Sequence, residues 1–369
     1  MDLLSKNEAY KNYVEQGKEA YNQGDIKRAR ALFLKAAEIT NQITIETTNP
    51  EIKSEYYNVT QTLVEFVKKH CSGEITATSG GNAETKKEEK QPEETVEKLS
   101  IDEALGKLQA LTGLGSVKQA INDWIRQIQV FQMRKKMGLK IPEMSYHMVF
   151  TGNPGTGKTT VARIIGQIYC ALGIVSKGHL VEVDRSKLVV GYVGQTAKNT
   201  SEIVDKAIGG VLFIDEAYTL AQGGENDFGP EAIASLLKKM EDHRDDLAVI
   251  VAGYDDLMQD FFNTNPGLAS RFKTYIHFDD YKPDELMNIF LSLCKKYDYI
   301  VDDETMAYLE RYFRNVYENR DKNFGNGRDV RNLFEQAITK QSTRIYTMKQ
   351  SKQPTAQEMM LITCEDIGL

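Results

Sequence analysis

Gly152-Asn153-Pro154-Gly155-Thr156-Gly157-Lys158-Thr159, the stretch GNPGTGKT, decides how the rest of the chain is read. It fills every fixed position of GxxxxGK[ST], directly after the apolar run YHMVF and before the helical stretch TVARIIGQIYCAL. In such a strand–loop–helix the backbone N–H groups wrap a polyphosphate. Glycines are needed where a Cβ would forbid the dihedral angles, and the helix N-terminus adds partial positive charge. Lys158 then reaches the β- and γ-phosphates, with Thr160 following on the same first helical turn. Thr159 offers its hydroxyl to Mg²⁺, an ion that takes few protein ligands and keeps several waters. Further on, GGVLFIDEAYTL is a second apolar run ending in Asp215 and Glu216. Asp215 is placed to hold the Mg²⁺ through its water shell. Glu216, on the opposite side of an extended chain, is the base that would orient and activate the water attacking the γ-phosphate.

Around these two motifs the chain alternates helices with short continuous apolar runs: YHMVFTG, HLVEVD, GVLFID, LAVIVAG and TYIHFDD. Runs of that kind belong to parallel strands covered by helices on both faces, so the spacing predicts a doubly wound α/β core over residues 99–282. From Pro283 the strands are expected to stop. Helical stretches beginning near Pro283, Asp303 and Gly327 make a separate lid subdomain over 283–369, with one short strand in the tail segment MMLITC.

Residues 1–71 form an all-α module. Two apolar-periodic stretches are joined by Asn22-Gln23-Gly24-Asp25, and a third, SEYYNVTQTLVEFVKKH, follows Thr48-Asn49-Pro50. Gly17, Gly24, Ala29, Phe33 and Ala36 fall at spacings that resemble a tetratricopeptide repeat. Because a lone repeat has no neighbours to stack on, a three-helix bundle resembling microtubule-interacting-and-trafficking modules is an equal alternative. Residues 72–98 turn to Ser, Thr, Gly, Glu and Lys, with too little apolar surface to offset ordering entropy, and read as a flexible linker.

The 369 residues carry 46 Lys and Arg against 53 Asp and Glu, a net charge of -7, so no overall basic footprint points to nucleic acid. The four cysteines are scattered, which disfavours a disulfide framework or a zinc site and suits a reducing cytoplasm. The polar N-terminus lacks the apolar core of a signal peptide, and no run is long enough to span a membrane.

Taken in order, LTGLGSVKQAI, GNPGTGKTT, GYVGQTA, GGVLFIDEAYTL, VIVAGYDD, NPGLASRF and GNGRDVRNLFEQA resemble the AAA+ ATPases. Within them they resemble the CbxX/CfqX family, which includes red-type Rubisco activases and relatives of stage V sporulation protein K. The resemblance runs from about residue 100 to the last residue and leaves the N-terminal helices and linker uncovered. It implies that ATP and Mg²⁺ are the ligands and that subunits assemble into a ring, a hexamer. It gives Arg271 as an arginine finger reaching the nucleotide of a neighbouring subunit, a role suited to a permanently charged, forked donor. It also gives Arg328 as sensor 2, with Arg331 on the same side able to exchange roles with it. Gly113, Leu114 and Val117 resemble the adenine pocket, a plain helix start being the alternative. The fourth strand departs from the wider superfamily: VIVAGYDD ends without the usual Asn or Thr, leaving sensor 1 open between Tyr254 and Asp255. Tyr192-Val193-Gly194 resembles an aromatic pore loop that grips an extended polypeptide, against the alternative of an ordinary turn. The function implied is ATP-driven remodelling of a client protein recruited by the N-terminal helices. The alternatives are a nucleotide-controlled scaffold and, less supported, a DNA motor.

Overall fold

The computed structural model describes residues 3–23, 25–47, 52–53, 56–57, 59–60, 62–63, 66–67, 99–190, 195–223 and 227–368. Gly24, the linker and Tyr192-Val193-Gly194 lie outside them. The chain divides into two compact units, residues 1–89 and 90–369.

In the first unit α1 (Leu3–Asn22) and α2 (Ile26–Glu46) form an antiparallel hairpin, with Asp25 capping α2 through the Arg28 N–H. A Cβ on Gly17 would lie 2.9 Å from the Phe33 ring, so the glycine is what lets that ring fill the groove between the helices. Ala29, Phe33 and Ala36 are buried beneath it. The described residues between 52 and 67 are helical, and Phe66 meets Phe33 edge-on at 4.9 Å. This third segment covers the face that a lone hairpin would leave wet.

In the second unit α3 (Ile101–Gln109) and α4 (Gly115–Lys136) precede β1 (Met148–Gly152). The core continues through α5 (Lys158–Ala171), β2 (Leu180–Val183), α6 (Arg185–Leu188), α7 (Gln195–Ala207), β3 (Val211–Ile214), α8 (Gly229–Asp242), β4 (Ala248–Gly253), α9 (Asp255–Thr264), α10 (Pro266–Arg271) and β5 (Thr274–Phe278). All five strands run parallel in the order β2-β3-β4-β1-β5. The central strands are buried on both faces, which is why their sequences are unbroken apolar runs. Side chains alternate between two cores. Met148, Phe150, Val211, Phe213 and Ile250 face Ile121, Ile125 and Ile165 of α4 and α5, whereas Val149, Leu212, Ile214 and Val251 face Leu236, Met240 and Phe261. Each such buried side chain contributes about 1.5–3 kcal/mol. The loop after β1 opens where the connections leave in opposite directions, the crevice in which doubly wound sheets hold ligands.

The lid consists mainly of α11 (Pro283–Lys296), α12 (Asp303–Glu318) and α13 (Gly327–Lys349), and its Leu286, Phe290 and Phe334 join the first of the two core clusters. The short strand expected in MMLITC is present as β7 (Leu361–Ile362), whereas the expectation that no other strand follows Pro283 is corrected by its parallel partner, β6 (Ile300–Val301). Two residues are too few for a periodicity to register. The closing segment is fixed by Arg344, whose guanidinium grips the buried Asp366 at 2.7 and 3.0 Å.

Two glycines set how closely α5 can lie on the β-layer: a Cβ at Gly166 would come within 2.7 Å of the Gly178 carbonyl oxygen. Backbone cannot swing aside as a side chain can, so Gly166→Ala should cost about 1–3 kcal/mol in urea denaturation. Gly106 in α3 has nothing within 4 Å of such a Cβ, and Gly106→Ala should instead stabilise by about 0.5–1 kcal/mol. Equal effects would refute the close-approach account.

Candidate functional site

The loop between β1 and α5 reaches left-handed or related dihedrals at three glycines, Gly152 (φ 127°), Gly155 (φ 72°) and Gly157 (φ 95°). Each is also sterically confined or close to it. A Cβ on Gly152 would fall 2.3 Å from the Phe278 carbonyl oxygen, and one on Gly155 would fall 2.1 Å from that of Gly325. The loop is held by its carbonyl groups. Lys158 Nζ donates to the oxygens of Gly152 and Asn153, both at 2.8 Å. Asn326 Nδ2 donates to Pro154 O at 3.3 Å, the Gly327 N–H to Gly155 O at 3.1 Å, and the Tyr281 hydroxyl to Thr156 O at 3.2 Å. Thr156 is buried and its hydroxyl returns to Asn153 O. Asn153 donates to Asp280 at 2.9 Å. Burial lowers the pKa of Lys158, and Asp215 opposes that shift.

These residues border a cavity of about 550 Å³, lined from the core by Gly152, Pro154, Gly155, Gly157, Lys158, Thr159, Thr160, Asp215 and Glu216. Asp215 and Glu216 lie beyond the last residue of β3, where strand alternation no longer applies, so both line the cavity instead of facing opposite sides. Glu216 takes the left-handed conformation (φ 48°), its N–H donating to Asp215 Oδ1 at 3.0 Å and its carbonyl accepting from Thr219 Oγ1 at 2.6 Å. A non-glycine residue held there stores local strain, a frequent feature of reactive sites.

The lid supplies the other wall through Ile289, Leu293, Lys296, Arg328 and Arg331, so both candidate sensor arginines reach the cavity. Leu114, buried and left-handed (φ 58°), contributes with Leu111 and Thr112. Gly113 (φ 61°) is pressed against the Glu285 side chain, and Val117 is in the core, so neither is among the lining residues. Tyr254 lines the cavity, whereas Asp255 pairs with His277, its Oδ1 2.9 Å from Nδ1. Arg271 stands apart from this cavity wall. Its guanidinium bonds Glu241 at 3.2 Å and Gly267 O at 3.2 Å, and its Nε is buried without a hydrogen-bond partner.

Tyr281, Asp280 and Asn326 are site residues that the sequence did not disclose. Tyr281 has its hydroxyl pKa pushed up to about 12 by burial, with Glu285 adding, and therefore stays a donor to the loop.

Residues 148–280 match the family described as "ATPase family associated with various cellular activities (AAA)", and residues 282–369 match the AAA lid domain. Stage V sporulation protein K of Bacillus subtilis is 41% identical over 263 residues, covering 71% of this chain and 81% of that protein. The chloroplastic ribulose bisphosphate carboxylase/oxygenase activase of Cyanidioschyzon merolae is 42% identical over 269 residues, covering 72% and 91%. The chain belongs to the AAA+ ATPases, in the CbxX/CfqX family. Protein CfxQ of Xanthobacter flavus, 45% identical over 249 residues (67% of this chain, 78% of that protein), is a further relative of this ATPase. The crystal structure of the FIGL-1 AAA domain in complex with ADP shares the fold at 20% identity, with a TM-score of 0.50 over 70% of this chain and 80% of that one. The enzyme is an ATP hydrolase. Among the described residues, no helix is long and apolar enough to cross a membrane.

Behind Arg271 lies His147, buried, accepting the Val249 N–H at Nδ1 (3.0 Å) and tilted on Phe272. Burial, with the Arg271 charge adding, pushes its pKa down to about 4. The unfolded chain then binds the extra proton first. Stability is complete above the ordinary imidazole pKa of about 6.5 and is lost as pH falls toward 4, by about 3 kcal/mol. His147→Gln retains an acceptor for Val249 and should flatten that part of the pH–stability curve. Identical slopes in urea titrations between pH 7 and pH 4 would reject the assignment.

Proposed function

We propose that this ATPase works as a hexameric ring in the cytoplasm, with ATP held between subunits and hydrolysis driving remodelling of a client protein. The observation that carries this reading is a division of labour. The cavity gathers Lys158, Asp215, Glu216, Arg328 and Arg331, while Arg271 of the same chain stands outside its wall. A site built this way is completed by the Arg271 of a neighbouring subunit.

Within the site Lys158 exchanges its two carbonyl partners for phosphate oxygens, and the loop N–H groups and the α5 N-terminus accept the remaining charge. The donor set fits Mg²⁺. Thr159 and Asp215 line the cavity together, a hydroxyl and a carboxylate being the hard oxygen donors suited to an ion that takes few protein ligands and keeps its waters. These two residues would hold the ion, which would supply charge neutralisation on the substrate's phosphates. Glu216 accepts the proton of the attacking water, and the neighbouring Arg271 neutralises charge developing on the transferred group. Arg328, with Arg331 beside it, links the bound nucleotide to the lid. Leu111, Leu114, Ile289 and Leu293 form the apolar wall suited to the base.

Remodelling by threading rests on Tyr192-Val193-Gly194 as a pore loop, and client or adaptor recruitment on the N-terminal helices. Relatives that include a Rubisco activase and a sporulation protein single out no one client.

Glu216→Gln should bind ATP and hydrolyse it about 10²- to 10⁴-fold more slowly, since the amide preserves shape and accepts no proton. Turnover within a few-fold of wild type would assign the base elsewhere. Arg271→Ala should bind ATP normally and fail to hydrolyse it. Mixing it with Glu216→Gln subunits should restore part of the activity through interfaces that pair the two intact residues. No recovery in mixed rings verified by mass would exclude action between subunits.

A further inference from the structure

Asn326 is fully buried and sits at φ 50°, ψ −126°, a backbone conformation costly for any residue but glycine. Gly325 and Gly327 flank it, yet the strained position itself carries a side chain. That side chain is hydrogen-bonded at both ends. Its Oδ1 accepts the Tyr281 N–H at 2.8 Å, and its Nδ2 lies 2.8 Å from Asp280 Oδ1, 3.1 Å from Phe324 O and 3.3 Å from Pro154 O. Asp280 Oδ1 also accepts from Asn153 Nδ2 at 2.9 Å, and Asp280 Oδ2 from Arg320 Nε at 3.3 Å.

These partners lie in three places. Asn153 and Pro154 belong to the phosphate loop, Phe324 and Arg320 to the lid, and Asp280 and Tyr281 to the join. The AAA match ends at Asp280 and the lid match begins at Lys282, so the N–H that Asn326 captures belongs to the residue between the two domains. One residue further, the Gly327 N–H binds Gly155 O, and Arg328 follows on the first turn of α13. Rotation of the lid about Tyr281 has to break the Asn326 bonds or carry the phosphate loop along.

We infer that Asn326 and Asp280 form a latch that fixes the lid at its hinge to the phosphate loop, making Asn326 the positioning residue for Arg328. The proposal rests on the role given above to Arg328. Through the latch, a change in the Asn153–Gly155 backbone on nucleotide entry or release reaches the lid directly, without first passing through the arginine.

Hydrogen exchange of the nucleotide-free protein tests the latch without reference to activity. Asn326→Gly permits the same dihedral angles and removes the carboxamide. The Tyr281 and Gly327 amides should then exchange at least tenfold faster while amides of β4 keep their wild-type protection. Unchanged Tyr281 exchange would overturn the latch. Should Asn326→Gly unfold as a whole, a second pair decides. Asn326→Asp sets two carboxylates together with no donor between them, and adding Asp280→Asn restores a donor, so the double variant should recover part of the Tyr281 protection. A double variant as unprotected as Asn326→Asp alone would equally overturn it.

The positioning claim has its own readout. Arg328→Ala should raise the KM for ATP about tenfold in the wild-type background and by less than twofold in Asn326→Gly, because an arginine already released has little left to lose. Full additivity would overturn positioning. An Arg328→Ala variant with wild-type KM would instead refute the role of Arg328, while the Tyr281 exchange result would still judge the latch.

Discussion

A loop that must offer its N–H groups to an anion cannot use them to hold itself in shape, and the whole nucleotide end of this protein is arranged around that constraint. Carbonyl oxygens do the holding instead. Those of residues 152 to 156 each accept a hydrogen bond, from Lys158, Thr156, Asn326, Gly327 or Tyr281. Lys158 and Thr156 are local donors, but the other three come from the hinge and the lid. The shape of the phosphate loop is therefore a joint property of both subdomains.

The sheet makes this possible by where it ends. β1 lies between β4 and β5, so its C-terminal end is bordered by the Phe278 backbone, close against Gly152, and by the Gly253–Tyr254 turn. Asp280 and Tyr281 follow directly from β5, which brings the hinge beneath the loop. The lid then returns through α13, whose start packs so tightly on Gly155 that a methyl group has no room. Glu216, beyond β3 in a left-handed conformation, completes the opposite wall. The two cores that grip the sheet keep these strand ends in register, so packing far from the cavity decides positions within it.

Much of this was legible in the chain itself because it is written locally. GNPGTGKT names its own loop, and the five apolar runs name their strands, since strands buried on both faces have no polar alternation to maintain. Phe33 against Gly17 could also be anticipated from spacing. What could not be read was nonlocal. Gly155 and Gly325 are adjacent in space through a connection about which helical periodicity says nothing, and no local pattern marks Asn326 as the partner of Asp280 and Pro154. Of the residues expected at the base pocket, Leu114 lines the cavity, while the neighbouring Gly113 lies against the Glu285 side chain, a contact that spacing along the chain does not reveal. Of the small lid sheet only the tail strand β7 was legible, its partner β6 being too short to give a pattern, and Glu216 lines the cavity with Asp215 because β3 ends at Ile214, before either residue.

The confinement of Gly155 has a consequence for portability. A phosphate-binding octet is often regarded as a cassette, transferable to any strand followed by a helix. Here the cassette is incomplete without a complementary patch more than a hundred residues away: the Gly325–Gly327 backbone that meets it, Asn326 on Pro154 and Tyr281 on Thr156. Transplanted alone into another scaffold, GNPGTGKT would carry the motif without the neighbours that tie down its carbonyl groups, and would lose its shape while keeping its sequence.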